Sequence, residues 1–213
     1  MTLRTPSRRL VAALALAVLA VLPAAPAAAQ NADAVARRLR ERFAAVRSFQ
    51  ADFVQTVSGR QIRGTLAVRG DAFRIELPEQ TLVSDGRTLW SYTRADRQVI
   101  VQDYERDAVG FSIGQVFTDW GSQFRTTGAS RATLAGVAHD VLALVPRETG
   151  SSVRDVTLYV RTSDAVPTRV RVHDVNGQTL AFDLSNVRLN PRLASNTFTF
   201  RPPSGVEVVD LRS

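Results

Sequence analysis

Residues 64–92 read GTLAVRGDAFRIELPEQTLVSDGRTLWSY, and three short runs within them alternate apolar with other side chains. Leu66 and Val68, then Phe73, Ile75 and Leu77, then Trp90 and Tyr92 recur two apart, the period that sets side chains on one face of a β-strand. Gly70-Asp71 and Asp85-Gly86 separate the runs, residues that tolerate the positive φ of a tight reversal. Connections this short hold no crossover helix, so neighbouring strands pair antiparallel. The meander offers an apolar face, and function turns on what that face meets.

Upstream, the period changes. Residues 31–47 read as a helix capped by Asn31 or Asp33, with Val35, Leu39, Phe43 and Val46 at helical spacing. Arg37, Arg38, Glu41 and Arg42 occupy the opposite side, so the stripe is expected to lie on the neighbouring sheet. Phe49, Ala51 and Phe53 then alternate, and Ser58-Gly59 turns the chain into a strand over residues 62–69.

Downstream, Val99 and Val101 mark another strand after an Ala95-Asp96 turn. Alternation fails between Asp107 and Gly128, where Ile113, Val116, Phe117 and Trp120 fit a short helix or an irregular, lid-like segment. Strands return over residues 140–146, at Val156, Leu158 and Val160, and on either side of Asn176-Gly177, a two-residue hairpin signal. Phe198 and Phe200 predict a last strand before Pro202-Pro203. About ten strands result, against roughly 5–6 in an average sheet, and a sheet that long must curl or close. Arg154, Asp155, Arg161, Arg169 and Arg171 fill alternate positions, so one face is wet and the other is covered or lines a cavity. The fold class is mainly β, with short helices.

The beginning of the chain predicts export. Arg4, Arg8 and Arg9 precede an apolar run over residues 10–22 and a small-residue segment, PAAPAAA, over residues 23–29. Residues 1–29 are therefore expected to be a cleaved secretory signal peptide, with residues 30–213 as one domain. The absence of cysteine excludes a disulfide, a thiolate metal site and a lipid-modified cysteine. The formal charge of +7 is carried wholly by arginine, with no lysine. Export and the scatter of these arginines argue against nucleic acid and favour solvation.

Catalytic patterns are weak. Gly110-Phe111-Ser112-Ile113-Gly114 matches G-x-S-x-G, with His139, Asp140 and His173 as notional partners. A serine esterase using Ser112 would need a strand-to-helix elbow on a parallel sheet, and this chain supplies hairpins. The His139-Asp140 and His173-Asp174 pairs lack a third metal ligand at diagnostic spacing, and His173 reads as a solvent-facing strand residue. No cofactor is expected. Phe73, Trp90, Tyr92, Phe198 and Phe200 fit a filled core or an apolar pocket equally well.

Three stretches carry a resemblance. FQADFVQ (residues 49–55) is similar to F-x-A-x-F-x-Q, LVSDGRTLWSY (82–92) to LVSDG-x-TLW-x-Y, and FTFRPPSGV (198–206) to F-x-F-x-P-P-x-G-V. Taken in this order behind an export signal, they resemble the periplasmic outer-membrane lipoprotein carrier family, LolA, over nearly all of the exported chain. The resemblance implies a half-open antiparallel β-barrel of ten or eleven strands with helices covering its mouth. It implies a monomeric, non-enzymatic carrier that receives the acyl chains of lipoproteins from an inner-membrane lipoprotein-releasing ABC exporter and passes them to an outer-membrane receptor. Phe53, Phe73, Ile75 and Trp90 are then expected to touch acyl chains or the lid, and Arg69 stands nearest the family's lid-latching arginine. Val35, Leu39, Phe43, Ile113, Val116 and Phe117 would belong to the lid. A periplasmic regulator that senses lipids or lipoproteins with the same fold is the alternative.

Overall fold

The computed structural model describes residues 26–105 and 120–212. The chain opens with α1 (Pro26–Ala44), then runs through β1 (Phe49–Val57), β2 (Arg60–Arg69), β3 (Ala72–Glu76), β4 (Gln80–Ser84), β5 (Thr88–Thr93) and β6 (Gln98–Asp103). A single turn, α2 (Trp120–Gln123), leads into β7 (Phe124–Leu134), β8 (Val137–Pro146), β9 (Val153–Arg161), β10 (Pro167–Asp174), β11 (Thr179–Leu189) and β12 (Glu207–Asp210). The helix begins earlier than its apolar stripe predicts, so the expected cleavage after Ala29 falls inside its first turns. Of the expected signal peptide, residues 1–29, the first 25 residues lie outside the described residues.

Among the described residues, twelve strands join one sheet in the order β12-β6-β5-β4-β3-β2-β1-β11-β10-β9-β8-β7, so β12 and β7 are its edges there and the sheet does not close. This is the half-open β architecture, with twelve strands in place of ten or eleven. Pairings are antiparallel except β12 with β6, which is parallel. The exception has a simple cause: the tail crosses the sheet before reaching its far edge, and so arrives in the same direction as β6.

Three local expectations are corrected. Phe198 and Phe200 belong to no strand; Thr197 and Thr199 donate their amides to Ala194 and Asn196, coiling that segment into turns. Residues 124–134 form a strand although their apolar alternation is poor, because β7 pairs with β8 along its length and bulges between Thr126 and Gly128. The loop at Asn176-Gly177 has four residues, since the Asp174 carboxylate accepts from the amides of Asn176 (2.9 Å) and Gln178 (2.7 Å) and widens the turn. The Asp85-Gly86 turn forms as predicted: Gly86 has φ +94°, and the Asp85 carboxylate accepts from the amides of Arg87 and Thr88, each at 2.8 Å.

Register sorts the side chains into two faces. Across β1 to β6, Phe49 stands opposite Val68, Val68 opposite Phe73, Phe73 opposite Ser84, and Ser84 opposite Leu89. Across β8 to β11, Leu142, Leu158, Val170 and Phe182 line up the same way. All of these but the buried Ser84 share one apolar cluster with Val35, Ala36, Leu39 and Trp120, so both described helices lie against this inner face. Each fully buried Leu or Phe here contributes roughly 1.5–3 kcal/mol by leaving water. The opposite, outer face has its own small cluster, Ala67, Ala72 and Phe198, where the C-terminal segment covers the meander.

Candidate functional site

The inner face of β1 to β5 is built by alternation and is largely apolar, interrupted on β4 and β5 by Ser84 and by Gln80, which donates to the Ser91 hydroxyl at 3.1 Å. Phe53 and Phe73 are buried there, and Ile75 packs against them only partly buried. Leu77, Leu82 and Tyr104 extend this partly buried apolar surface, as does Phe43 from the end of α1. Edge-to-face ring contacts order it: Phe53 with Phe182 at 6.0 Å and Phe73 with Tyr104 at 5.8 Å. Gly64 stands opposite Phe53 in the β1–β2 register, and a Cβ there would come within 2.6 Å of the Phe53 ring. The missing side chain is what lets the ring lie across the neighbouring strand.

The helix covers the other end of the same face. α1 packs on β7 and β8, with Ala32, Val35, Ala36 and Leu39 buried. One ion pair pins it: Arg38 donates from Nη2 to Asp140, a carboxylate whose side chain is only 4% exposed. Asp140 stands opposite Val160 in the β8–β9 register, so it lies on the inner face, and Arg131 approaches it at 3.7 Å. Arg40 sits over the Trp120 ring at 5.7 Å, which ties α1 to α2.

The five residues expected to meet acyl chains or the lid do not share a face. Phe53, Phe73 and Ile75 are on the inner one, and Val35 and Leu39 pack onto it from α1. Trp90 pairs with Val83, and Val83 with Arg74, which places it on the outer face; its neighbour Leu89 is the apolar residue that β5 turns inward. The sequence Leu89-Trp90-Ser91-Tyr92 is apolar at adjacent positions, so alternation alone leaves its face undecided. Arg69 is also outward, stacked at 4.8 Å over Phe198, so its contact is with the tail and not with a described helix. Ser112, Ile113, Val116 and Phe117 lie outside the described residues. Leu82, Leu89 and Tyr104 belong to the inner surface and were missed, since only the cross-strand register assigns them.

The residues recruited on paper for hydrolysis are engaged otherwise. His139 and Asp140 are adjacent on β8 and point to opposite faces; His139 is buried, with Nε2 2.7 Å from the Thr168 hydroxyl and Nδ1 2.8 Å from the Val137 carbonyl. His173 is half-buried and pairs through Nδ1 with Asp155 at 2.5 Å. Burial acts to raise the Asp155 pKa, but bonds from His173 and Arg154 prevail and hold it below the usual carboxylate value. Among the described residues no group of three His, Asp or Glu side chains could hold a metal ion, and no helix is long and apolar enough to cross a membrane.

Comparison with known proteins agrees with this geometry. An outer-membrane lipoprotein carrier protein of Bordetella avium is 30% identical over 208 residues, covering 92% of this chain and 95% of the relative. The carrier protein of Haemophilus influenzae is 31% identical over 192 residues, covering 83% and 87%. Among solved structures, an uncharacterized conserved protein from Thermus thermophilus superposes with a TM-score of 0.57 at 16% identity, covering 85% of this chain and 99% of that one, a likeness of fold. The model of the family described as outer membrane lipoprotein carrier protein LolA matches residues 44–201, from the last turn of α1 to the coiled tail, and the chain belongs to that family.

Proposed function

We propose that this protein is a non-enzymatic periplasmic carrier that shelters the acyl chains of lipoproteins against the inner face of its sheet. One observation carries the reading: a largely apolar face on an unclosed sheet, buried under α1 at the β7–β8 end and only partly buried at Ile75, Leu77 and Leu82. Burying a methylene is worth about 0.8 kcal/mol, so a long acyl chain exposed to water costs on the order of 10 kcal/mol. A rolled sheet with a movable cover lowers that cost during transit, and release follows when the cover competes with the cargo for the same face. In this reading an inner-membrane ABC exporter loads the carrier and an outer-membrane receptor empties it.

The test compares the two faces. Purified protein is titrated with a fluorescent palmitoyl probe that a triacylated lipopeptide displaces. Ile75→Glu places a charge on the partly buried inner surface and is expected to weaken binding roughly tenfold or more. Trp90→Gln alters the outer face and leaves binding unchanged. Equal probe affinity in wild type and a natively folded Ile75→Glu variant overturns the proposal. Mass spectrometry of material co-purified from the native periplasm would identify the cargo.

A further inference from the structure

The outer face holds a feature that acyl carriage does not use. The tail motif Phe198-Thr199-Phe200-Arg201 is anchored through its aromatic positions: Phe198 is buried beneath Arg69, and Phe200 rests 5.9 Å from Tyr92 on β5. Arg74 of β3 clamps the intervening backbone, donating from Nη1 to the carbonyls of Thr197 (3.3 Å) and Thr199 (3.4 Å) and from Nε to Glu76 (2.7 Å). With both anchors fixed, Arg74, Asn196, Thr197, Thr199 and Arg201 line a groove of about 520 Å³. Two guanidinium groups, one amide and two hydroxyls make up its side-chain polar groups, with no carboxylate in the lining. A smaller groove of about 260 Å³ adjoins it through Arg74 and Thr197 and adds Arg192; its one acid, Glu76, is the group already bonded by Arg74.

Arg192 and Arg201 form no hydrogen bond or ion pair among the described residues. Elsewhere on this surface arginines commonly find carboxylates, as Arg161 does with Asp164 and Arg169 with Asp183. The Thr199 hydroxyl donates to the Asn196 carbonyl at 3.1 Å and Arg74 keeps only Nη2 unbonded among the described residues, so the donors left to the groove are Arg74 Nη2, the Arg201 guanidinium, the Asn196 amide and the Thr197 hydroxyl. Such a set suits a tetrahedral oxyanion, which accepts several charge-assisted hydrogen bonds at once. We propose that this groove is a binding site for a phosphate group. That group could belong to a soluble phosphate ester or to the headgroup of an anionic phospholipid at a membrane surface. The proposal is independent of the carrier reading, since its groove lies on the opposite face of the sheet.

The experiment has two arms on the full folded chain. In the first, inorganic phosphate is titrated while backbone amide signals are followed by NMR. Saturable shifts confined to residues 194–201 and neighbouring β3 are expected, and Arg201→Gln weakens the apparent affinity about tenfold by removing charge-assisted bonds. In the second, sedimentation with phosphatidylglycerol vesicles is compared with phosphatidylcholine vesicles. Arg154→Gln, which removes a charge from β9, controls for net charge in both arms. Saturable phosphate binding without vesicle binding identifies a soluble ester as the ligand; vesicle binding lost in Arg201→Gln alone identifies a headgroup. Non-saturable or scattered shifts, or equal losses in Arg201→Gln and Arg154→Gln, overturn the site.

Discussion

Single residues set how firmly the helix holds the sheet and how the fold responds to acid. Removing Arg38 would leave Asp140 buried with only Arg131, highly exposed and 3.7 Å away, to offset its charge. Arg38→Ala is expected to cost about 1–3 kcal/mol, less than a fully enclosed pair because the arginine is half-exposed, as measured by urea denaturation. In an Asp140→Leu background the same change should cost much less, which isolates the pair from the packing of the arginine stem. Acid sensitivity has a separate source. The Asp164 carboxylate is held below its usual pKa of 3.8, first by the bidentate bond from Arg161 and against the opposing effect of burial. A carboxylate whose folded pKa is depressed stabilises the fold above its unfolded pKa, and that contribution fades as pH falls through the folded value. Asp164→Asn should therefore be less stable than wild type at neutral pH, with the gap narrowing below about pH 3.8 in denaturation series at stepped pH.

Elements show which parts of the architecture the sequence discloses. Turn chemistry was legible: Ser58-Gly59, Gly70-Asp71 and Asp85-Gly86 each fall between strands of the observed meander. The amphipathic helix was legible too, because Val35 and Leu39 report a single buried side. β7 was not, since its apolar signal is diluted by Thr, Ser and Gly and its pairing with β8 supplies what its side chains lack. Faces were only half legible. Period two groups Trp90 with Tyr92 correctly, but whether that pair joins Phe73 depends on registers across β3, β4 and β5 that no local pattern encodes. Gly64 illustrates the same long-range dependence. A Cβ there would meet the Glu76 carbonyl and the Phe53 ring at 2.6 Å, and the Leu77 side chain at 2.9 Å. Gly64→Ala is accordingly expected to destabilise by about 1–3 kcal/mol through overpacking, seen as a lower urea midpoint with an unchanged slope.

At the level of the whole molecule, the unclosed sheet divides labour between its two sides. The inner side receives the helices and, in the proposed function, the cargo; the outer side is sealed by the tail where Phe198 and Leu193 meet Ala67 and Ala72. This division predicts that inner and outer substitutions act independently: a double variant of Ile75→Glu and Trp90→Gln should show the acyl affinity of Ile75→Glu alone. The parallel seam has a consequence in time. Glu207 lies opposite Gln98, 109 positions further along the chain, so the margin of the sheet at β6 is completed only by residues synthesised long after it. Until those residues arrive, β6 presents an unpaired rim to its surroundings, and an emerging copy is then most open to mispairing with another. Residues 207–210 thus act as a seal on a nearly finished vessel.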